Sequence, residues 1–413
     1  MTKPRTAAVF NQAQQPLIRS INVSSINSNS NDYWSFGNNN MFPYALAALS
    51  RSSAAHRRIL NDKADYVSGK GFSCDDKNKE LLGFLNHVNN KDENLRNMLR
   101  NSVYDYLLTG NGYIEVVTNK KGNFLSFFHQ DSTKCRLSKD KTEIILFPDW
   151  SNYNKTKAKT IPLFPRFKEE DGFLRSMIRY VDYEPMFENY GIPDYIAGLN
   201  VAAIAYKTDR WNISRLDSSF QFSGVLEVDG DTTDDDEAKE IKELCEKRFA
   251  GEPGQVLYLV KNMVEEGRGT KFTPIQSNNE GDWKALHEQS NNDIVVAHSW
   301  FRTLSGLDYS TGFSSDRILN EYQVAMSTII LNNQEKFITP IKSAIEDILK
   351  IDTSSLQFIN RPPIEAKPGY MMIWEARKAD GLSYDENAPE QQIYLANLNK
   401  NGSNNANNST GGN

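Results

Sequence analysis

Apolar positions recur at helical spacing over an unusually long stretch towards the end of this chain. Ile318, Leu319, Tyr322, Ala325, Met326, Ile329, Ile330, Phe337, Ile341, Ile345 and Ile348 form a stripe dominated by steps of three and four. Ser314, Ser315 and Asp316 supply N-cap oxygens just before it, and Pro340, which has no N–H and crowds the preceding turn, lies inside it. The pattern predicts a long helix over 316–350 that kinks near Thr339. At ~1.5 Å per residue it would span roughly 50 Å, which implies an elongated subunit or a packed assembly.

The same reading applied from the start of the chain gives helices around a sheet. Ala45, Leu46, Leu49, Ala54, Ile59, Leu60, Ala64 and Val67 make one amphipathic helix or a broken pair, ended by Gly69 and Gly71. Leu81 to Val88 is a short apolar segment, and Leu95 to Leu108 a strong helical pattern halted by Thr109-Gly110-Asn111-Gly112, where glycine allows a sharp helix-to-strand turn. Tyr113 to Val117 and Phe124 to His129 read as a hairpin across Lys120-Lys121-Gly122-Asn123. Arg136-Leu137 and Glu143 to Phe147 read as further strands.

From Ile192 to about Phe220 a second long helix is expected, with Pro193 near its first position and Asp194 at the positive end of its dipole. Ile196, Leu199, Ala203, Tyr206, Ile213 and Leu216 form its apolar face, and Lys207, Asp209, Arg210 and Arg215 its wet one. A small β-α-β-β insertion follows: a strand at Gly224 to Val228, a helix at Asp234 to Arg248, and strands at Leu257 to Val260 and Phe272 to Ile275 joined by a charged turn at Glu265 to Gly269. A helix from Asp282 to Leu304 and a short polar loop from Gly306 to Ser315 lead into the long stripe. The fold class is therefore α+β.

Composition sharpens this picture by exclusion. A chain of 413 residues, 39% hydrophobic, can build about two or three cores. No apolar run approaches the ~20 residues that cross a bilayer, and Met1 to Phe10 lacks a signal-like core, so no membrane partner is expected and the chain should stay in the cytoplasm of its maker. Cys74, Cys135 and Cys245 stand far apart beside only five histidines, which argues against a zinc cage or a disulfide framework. A net charge of −6 argues against tight, phosphate-neutralising binding of nucleic acid while allowing loose contact. Asn and Ser crowd 22–40, and 401–413 is almost wholly Asn, Gly, Ser and Thr, so both ends read as flexible tails.

Candidate chemistry is sparse. The acidic run Asp229 to Asp236 is not an EF-hand, which needs Gly at its sixth position and Glu at its twelfth, where Asp234 and Glu240 stand. Thr233 with Asp236 three residues on resembles a capping box, a more economical account of those carboxylates. A magnesium-dependent nucleic-acid hydrolase using Asp234 to Glu237 is the enzymatic alternative, although adjacent acids at a helix start are poorly spaced for a metal. His129, His287 and His298 have no nucleophile or ligand partners at motif spacing and read as surface or core histidines. Gly69-Lys70-Gly71 and Gly267-Arg268-Gly269 are turns without the pattern of a phosphate loop. No catalytic residue, metal or cofactor is expected.

The order helix, small α/β insertion, helix, short polar loop, long kinked helix resembles that of tailed-phage portal proteins, in the compact branch found in long-tailed phages and prophages. Leu108-Thr109-Gly110-Asn111-Gly112-Tyr113 resembles the helix-to-strand turn of that family's wing, and Tyr190-Gly191-Ile192-Pro193 the opening of its first stem helix. Phe222-Ser223-Gly224-Val225-Leu226 is similar to the passage into the clip, and Leu304-Ser305-Gly306-Leu307 to the end of the second stem helix, though Trp300-Phe301-Arg302-Thr303 stands where the family usually has prolines. Ile338-Thr339-Pro340 is similar to its kink motif, and Glu375-Ala376-Arg377 with Gly381-Leu382 to a C-terminal motif.

The resemblance implies an N-terminal tail (1–40), a wing (41–190), a first stem helix (191–221), a clip (222–280), a second stem helix (281–305), a tunnel loop (306–315), a long kinked wing helix (316–350), a crown region (351–400) and a disordered tail (401–413). It implies a head-to-tail connector: a homo-oligomeric ring, usually of twelve subunits, set in the virion at one capsid vertex, assembled in the bacterial host cytoplasm, through which double-stranded DNA is packaged and ejected. Partners would be the terminase large subunit docked on the clip, the major capsid or scaffold protein, a head-tail connector or adaptor, and DNA held without sequence specificity. Asp308, Tyr309, Ser310, Thr311, Gly312 and Phe313 would face DNA in the tunnel loop, Lys207, Arg210 and Arg215 the channel, and Asp234, Asp235, Asp236, Glu265, Glu266 and Arg268 the docking partner, with Pro340 setting the kink. A ring adaptor or scaffold without motor binding is the non-portal alternative.

Overall fold

The structure is a computed structural model and describes residues 32–37, 40–217, 224–229, 257–261, 271–274, 282–307, 315–364, 372–379, 383, 385–389 and 391–393. The first helical pattern resolves as the broken pair: α1 (Phe42–Ser52) and α2 (Ala54–Val67) meet at Ser53, whose extended backbone and side-chain oxygen, accepting the His56 N–H, cap α2. A short strand β1 (Phe72–Ser73) precedes α3 (Lys79–Asn86) and α4 (Leu95–Thr109), which Asn78 and Asn94 cap in the same way.

Strand β2 (Asn111–Thr118), buried along its whole length, is central to a four-stranded antiparallel sheet. The expected hairpin pairs it with β3 (Leu125–Gln130), Val117 opposite Ser126. The expected strands at Arg136 and Glu143 form elsewhere, as β4 (Cys135–Leu137) and β5 (Glu143–Leu146), in a separate three-stranded sheet completed by β6 (Lys159–Pro162). The other neighbour of β2 is β8 (Phe173–Val181), which also carries the edge strand β7 (Lys168–Glu170), giving the order β3-β2-β8-β7. Sequence reasoning did not find β8, because Arg175 and Arg179 interrupt its apolar pattern. Arg175 is held there by the buried Glu115 of β2 at 2.6 Å.

A 3₁₀ turn at Asp194–Gly198 precedes α5 (Leu199–Asp217), so the helix expected from Ile192 takes up α geometry seven residues later. Strands β9 (Gly224–Asp229), β10 (Leu257–Lys261) and β11 (Lys271–Pro274) form a sheet of order β10-β9-β11, with β9 and β10 parallel. The helix expected at Asp234 to Arg248 lies outside the described residues. Helix α6 (Asp282–Ala297) then packs on α5, closely enough that a Cβ on Gly198, at the start of that pairing, would stand 2.5 Å from Ala297 Cβ. It ends well before Leu304, because Ser299 enters the left-handed region at φ 49° and the chain turns there, the Trp300 N–H reaching back to the Val295 carbonyl.

The long stripe is helical from Ser315 to Leu349, as α7 (Ser315–Ala325), a π-helical segment (Met326–Ile330) and α8 (Leu331–Leu349). The π segment explains the burial pattern, because buried Ala325 is followed by buried Ile330, a step of five, before steps of three and four resume at Gln334, Phe337 and Ile341. Helix α8 runs through Pro340 as a single α-helix, and the departure from α hydrogen bonding lies upstream of the expected kink near Thr339. Phe337 packs against Tyr106 of α4 and Tyr180 of β8, whose hydroxyl donates to the Phe337 carbonyl at 2.9 Å. A final strand β12 (Gln357–Phe358) pairs with β1.

The chain divides into two units. One comprises 1–308 and 325–360 and contains everything above except α7 up to Val324. The other comprises 309–324 and 361–413; in it α9 (Ile373–Ala379) is tied by Ile373 N–H to the Ile393 carbonyl and by Arg377 to the Ser383 carbonyl. Among the described residues no helix is long and apolar enough to cross a membrane.

Candidate functional site

Two short motifs 80 residues apart come together where the four-stranded sheet meets the α5–α6 pair. Helix α4 ends at Gly110, whose φ of 73° gives the left-handed cap and whose N–H returns to the Tyr106 carbonyl at 2.8 Å. Next to it, buried Asn111 brackets the peptide at Gly191: its Nδ2 donates to the Gly191 carbonyl at 3.0 Å and its Oδ1 accepts the Gly191 N–H at 3.0 Å. The same Nδ2 also donates to the Thr109 carbonyl at 2.9 Å.

This double bond needs backbone-to-backbone approach. A Cβ on Gly110 would lie 2.6 Å from backbone atoms of Gly191 and Ile192, and one on Gly191 would lie 2.1 Å from the Gly110 oxygen, so both positions exclude any side chain. The Gly110 carbonyl in turn accepts the Asp182 N–H at 2.9 Å. Around this contact Tyr190 stacks on Phe36 with centroids 4.3 Å apart and accepts the Leu137 N–H, while Tyr195 donates to the Leu108 carbonyl. The turn before β2 and the turn before α5 are thereby one interlocked structure.

Directly beside it lies a cluster of ionisable side chains that sequence reasoning missed. Lys63 of α2, 2% exposed, sits 3.5 Å from Asp194 Oδ2 and donates to the His298 carbonyl at 3.0 Å. Asp182, the residue after β8, lies 3.7 Å from Lys336 Nζ of α8. Lys336 Nζ also donates to the Tyr106 hydroxyl. On the other side of Lys63, His56 Nδ1 and His298 Nε2 are 2.7 Å apart in a buried pair beside Tyr195, which stacks on His298 and meets the His56 ring edge-on.

Burial dominates the electrostatics here. It lowers the Lys63 ammonium from its ordinary value, against the pull of Asp194, and holds His298 well below and His56 at about 4. The two imidazoles are therefore neutral at pH 7, one N–H donating to the other ring. Burial first, and then the neighbouring Asp194 carboxyl, push Asp182 up to about 6. Lys63, Tyr106, Asp182, Asp194, Tyr195 and His298 line a small cleft at the centre of the cluster. The signal that could have found it is in α2: His56 and Lys63 fall on the same stripe as Ala55, Ile59, Leu60, Ala64 and Val67, all buried, and a lysine in a buried stripe demands partners.

Lys207 and Arg210 are exposed on α5, and the side chain of Arg215 lies outside the described residues. Asp308, Tyr309, Ser310, Thr311, Gly312 and Phe313, and likewise Asp234, Asp235, Asp236, Glu265, Glu266 and Arg268, lie outside the described residues. His298 is a paired core histidine, His129 meets Asp105 at 2.9 Å, and His287 faces Asp209 at 3.5 Å. Among the described residues no group of His, Cys, Asp and Glu is arranged to hold a metal ion.

Comparison with known proteins bears on this arrangement directly. A family model described as "Phage portal protein" matches residues 67–298, which takes in the interlocked turns and both α5 and α6. Among solved structures, a chain from the neck of a native GTA particle computed with C12 symmetry aligns with a TM-score of 0.50 at 13% identity, over 83% of this chain and 95% of that one. An HK97 family phage portal protein from Corynebacterium diphtheriae aligns with a TM-score of 0.46 at 10% identity, over 77% of this chain and 96% of that one. A search of curated proteins finds no match.

Proposed function

This chain belongs to the phage portal protein family, and on that premise we propose that copies of it form a twelve-membered ring whose channel passes double-stranded DNA during packaging and ejection. It is a portal subunit of the capsid vertex, a structural component of the virion rather than an enzyme. The observation that carries the channel reading is the order along the chain, in which the β9–β11 sheet falls between α5 and α6, two helices that pack on each other. A small sheet inserted in the chain between two packed helices suits the clip on stem helices that the sequence reading expects.

In that arrangement Lys207, Arg210 and Arg215 face the channel, 308–313 forms a loop over the DNA, and the acidic 234–236 with Glu265, Glu266 and Arg268 receives the terminase large subunit and later a connector protein. Charge supports passage over gripping: each copy brings −6, and walls that bound phosphates strongly would hold DNA where it must slide. The major capsid or scaffold protein is the ring's further partner in this reading.

Electron microscopy of the purified full chain tests the reading. Rings with a central channel and twelve countable subunits are expected. A monodisperse monomer that persists on co-expression with capsid partners would refute it. Docking is tested separately by capture of the terminase large subunit, which should weaken when Asp234, Asp235 and Asp236 are changed together to Asn.

A further inference from the structure

Between β8 and Gly191 the chain holds two large apolar side chains out in solvent. The Phe187 N–H returns to the Glu184 carbonyl at 3.1 Å, with Pro185 second in the turn and Met186 third, at φ 73°. Proline second and a positive φ third are the marks of a type II turn, whose third place suits glycine and is costly for a residue with a Cβ. Met186 bears that cost and is 97% exposed, and Tyr183, just before the turn, is 84% exposed. A strained backbone that presents apolar groups to water calls for a partner.

We propose that the turn from Tyr183 to Phe187 is the docking point of the chain's own N-terminal segment, residues 3–21. Charge is the first reason. Residues 1–31 contain Lys3, Arg5 and Arg19 and no acidic residue, whereas 182–188 contain Asp182, Glu184 and Glu188 and no basic one. Lys141 and Lys336 already stand 3.4 Å from Glu188 and 3.7 Å from Asp182, so the exposed Glu184 at the turn is the carboxylate that receives a base of the segment. Composition is the second reason. Val9, Phe10, Leu17, Ile18 and Ile21 fall in the same stretch as the three bases, ahead of the Asn- and Ser-rich residues 22–31, and supply the apolar surface that Tyr183 and Met186 lack.

The third reason is where the segment joins the described chain. The Asp32 carbonyl accepts the Lys139 N–H at 3.2 Å, and the Trp34 carbonyl accepts the Tyr190 hydroxyl. Lys141 Nζ lies 5.8 Å from the centre of the Trp34 ring and is the same group that meets Glu188. Residues 32–34 therefore run beside Glu188 and Tyr190, just past the turn. The stretch 22–31, which extends to at most ~33 Å, is long enough to return Ile21 to Met186.

The test uses the full chain with a benzophenone amino acid in place of Tyr183, irradiated and mapped by mass spectrometry. Crosslinks should fall on peptides from 3–21, within single copies when isotope-labelled and unlabelled protein are mixed. Their yield should drop several-fold when Lys3→Glu, Arg5→Glu and Arg19→Glu are combined, when Glu184→Lys is made, and when salt is raised from about 50 mM to about 500 mM. A second measurement leaves the turn unaltered: hydrogen peroxide should oxidise Met186 several-fold more slowly in wild type than in the triple Glu variant, where the rate should approach that of a short peptide. Absence of crosslinks to 3–21, a yield indifferent to the charge reversals, or equal oxidation rates would overturn the docking. Crosslinks only between copies would also overturn it and assign the turn to a contact between subunits. None of these measurements needs a ring, so their failure leaves the portal reading untouched.

Discussion

Replacing Gly110 by Ala separates two costs that the structure superimposes at that position. The first is conformational: at φ 73° an alanine pays about 1–2 kcal/mol for the left-handed region. The second is steric, since the new methyl would stand 2.6 Å from Gly191 and Ile192 backbone atoms, roughly 1 Å inside a normal carbon contact. Those atoms cannot retreat without breaking the paired hydrogen bonds to Asn111, so the overlap costs about 1–3 kcal/mol in addition. Gly172 supplies the control, with φ 79° and nothing within 4 Å of the position its Cβ would take. Urea unfolding followed by tryptophan fluorescence should show Gly172→Ala shifted by the conformational term alone, about 1–2 kcal/mol, and Gly110→Ala by about 2–5 kcal/mol. Equal shifts for the two variants would refute the close approach as the reason for glycine.

Asn111→Ala, which leaves the buried Gly191 N–H without an acceptor, should cost about 1–3 kcal/mol in the same assay. Asn111→Asp should cost more, because it replaces the donor to two carbonyls by a second acceptor. Acid should destabilise the fold through the histidine pair: His56 falls from 6.5 to about 4 on folding, so the unfolded chain takes up the proton first. Its contribution is complete above pH 6.5 and is lost as pH drops towards 4, up to about 3 kcal/mol, so the melting temperature of His56→Asn should depend less on pH over that window than that of wild type. Asp182 has the opposite sign, its contribution being present below about pH 4 and lost as pH rises through 6. Pro340→Ala supplies the N–H that α8 lacks towards the Lys336 carbonyl and should stiffen the helix there and impair ring assembly or packaging; rings that form and package normally would remove Pro340 from the mechanism.

What could be read from sequence divides along physical lines. The one-sided apolar stripe of α4 was legible, as was the hairpin turned at Gly122, because each is specified by neighbours in the chain, whereas α3 read only as a short apolar segment and the caps Asn78 and Asn94 were not read. The strand β8 was not, since Arg175 is tolerable in a sheet only against Glu115, 60 residues away. The end of α6 was missed for a similar reason: Ser299 takes a left-handed conformation usually given to glycine, and there the preceding carbonyl of His298 meets Lys63 of α2. The π segment escaped because Met326 and Ile329 continue the apolar spacing on paper while burial skips from Ala325 to Ile330. Gly110, Asn111 and Gly191 were visible as turn residues, but nothing local says that the two turns bind each other.

The interlocked turns also fix the root of the α5–α6 pair. Gly191 is held on both of its peptide groups by Asn111, and Asp182 is held by its N–H on the Gly110 carbonyl, so neither backbone point is free to slide. Gly198 ends the turn that follows in contact with Ala297, one residue before His298, whose carbonyl is held by Lys63. The start of α5 and the end of α6 are therefore fixed on both sides, and neither can give way to an added group without disturbing the other. Gly198→Ala, with its Cβ 2.5 Å from Ala297 Cβ, should cost about 1–3 kcal/mol in the urea assay. A midpoint equal to that of wild type would show that the two helices do not need this close approach.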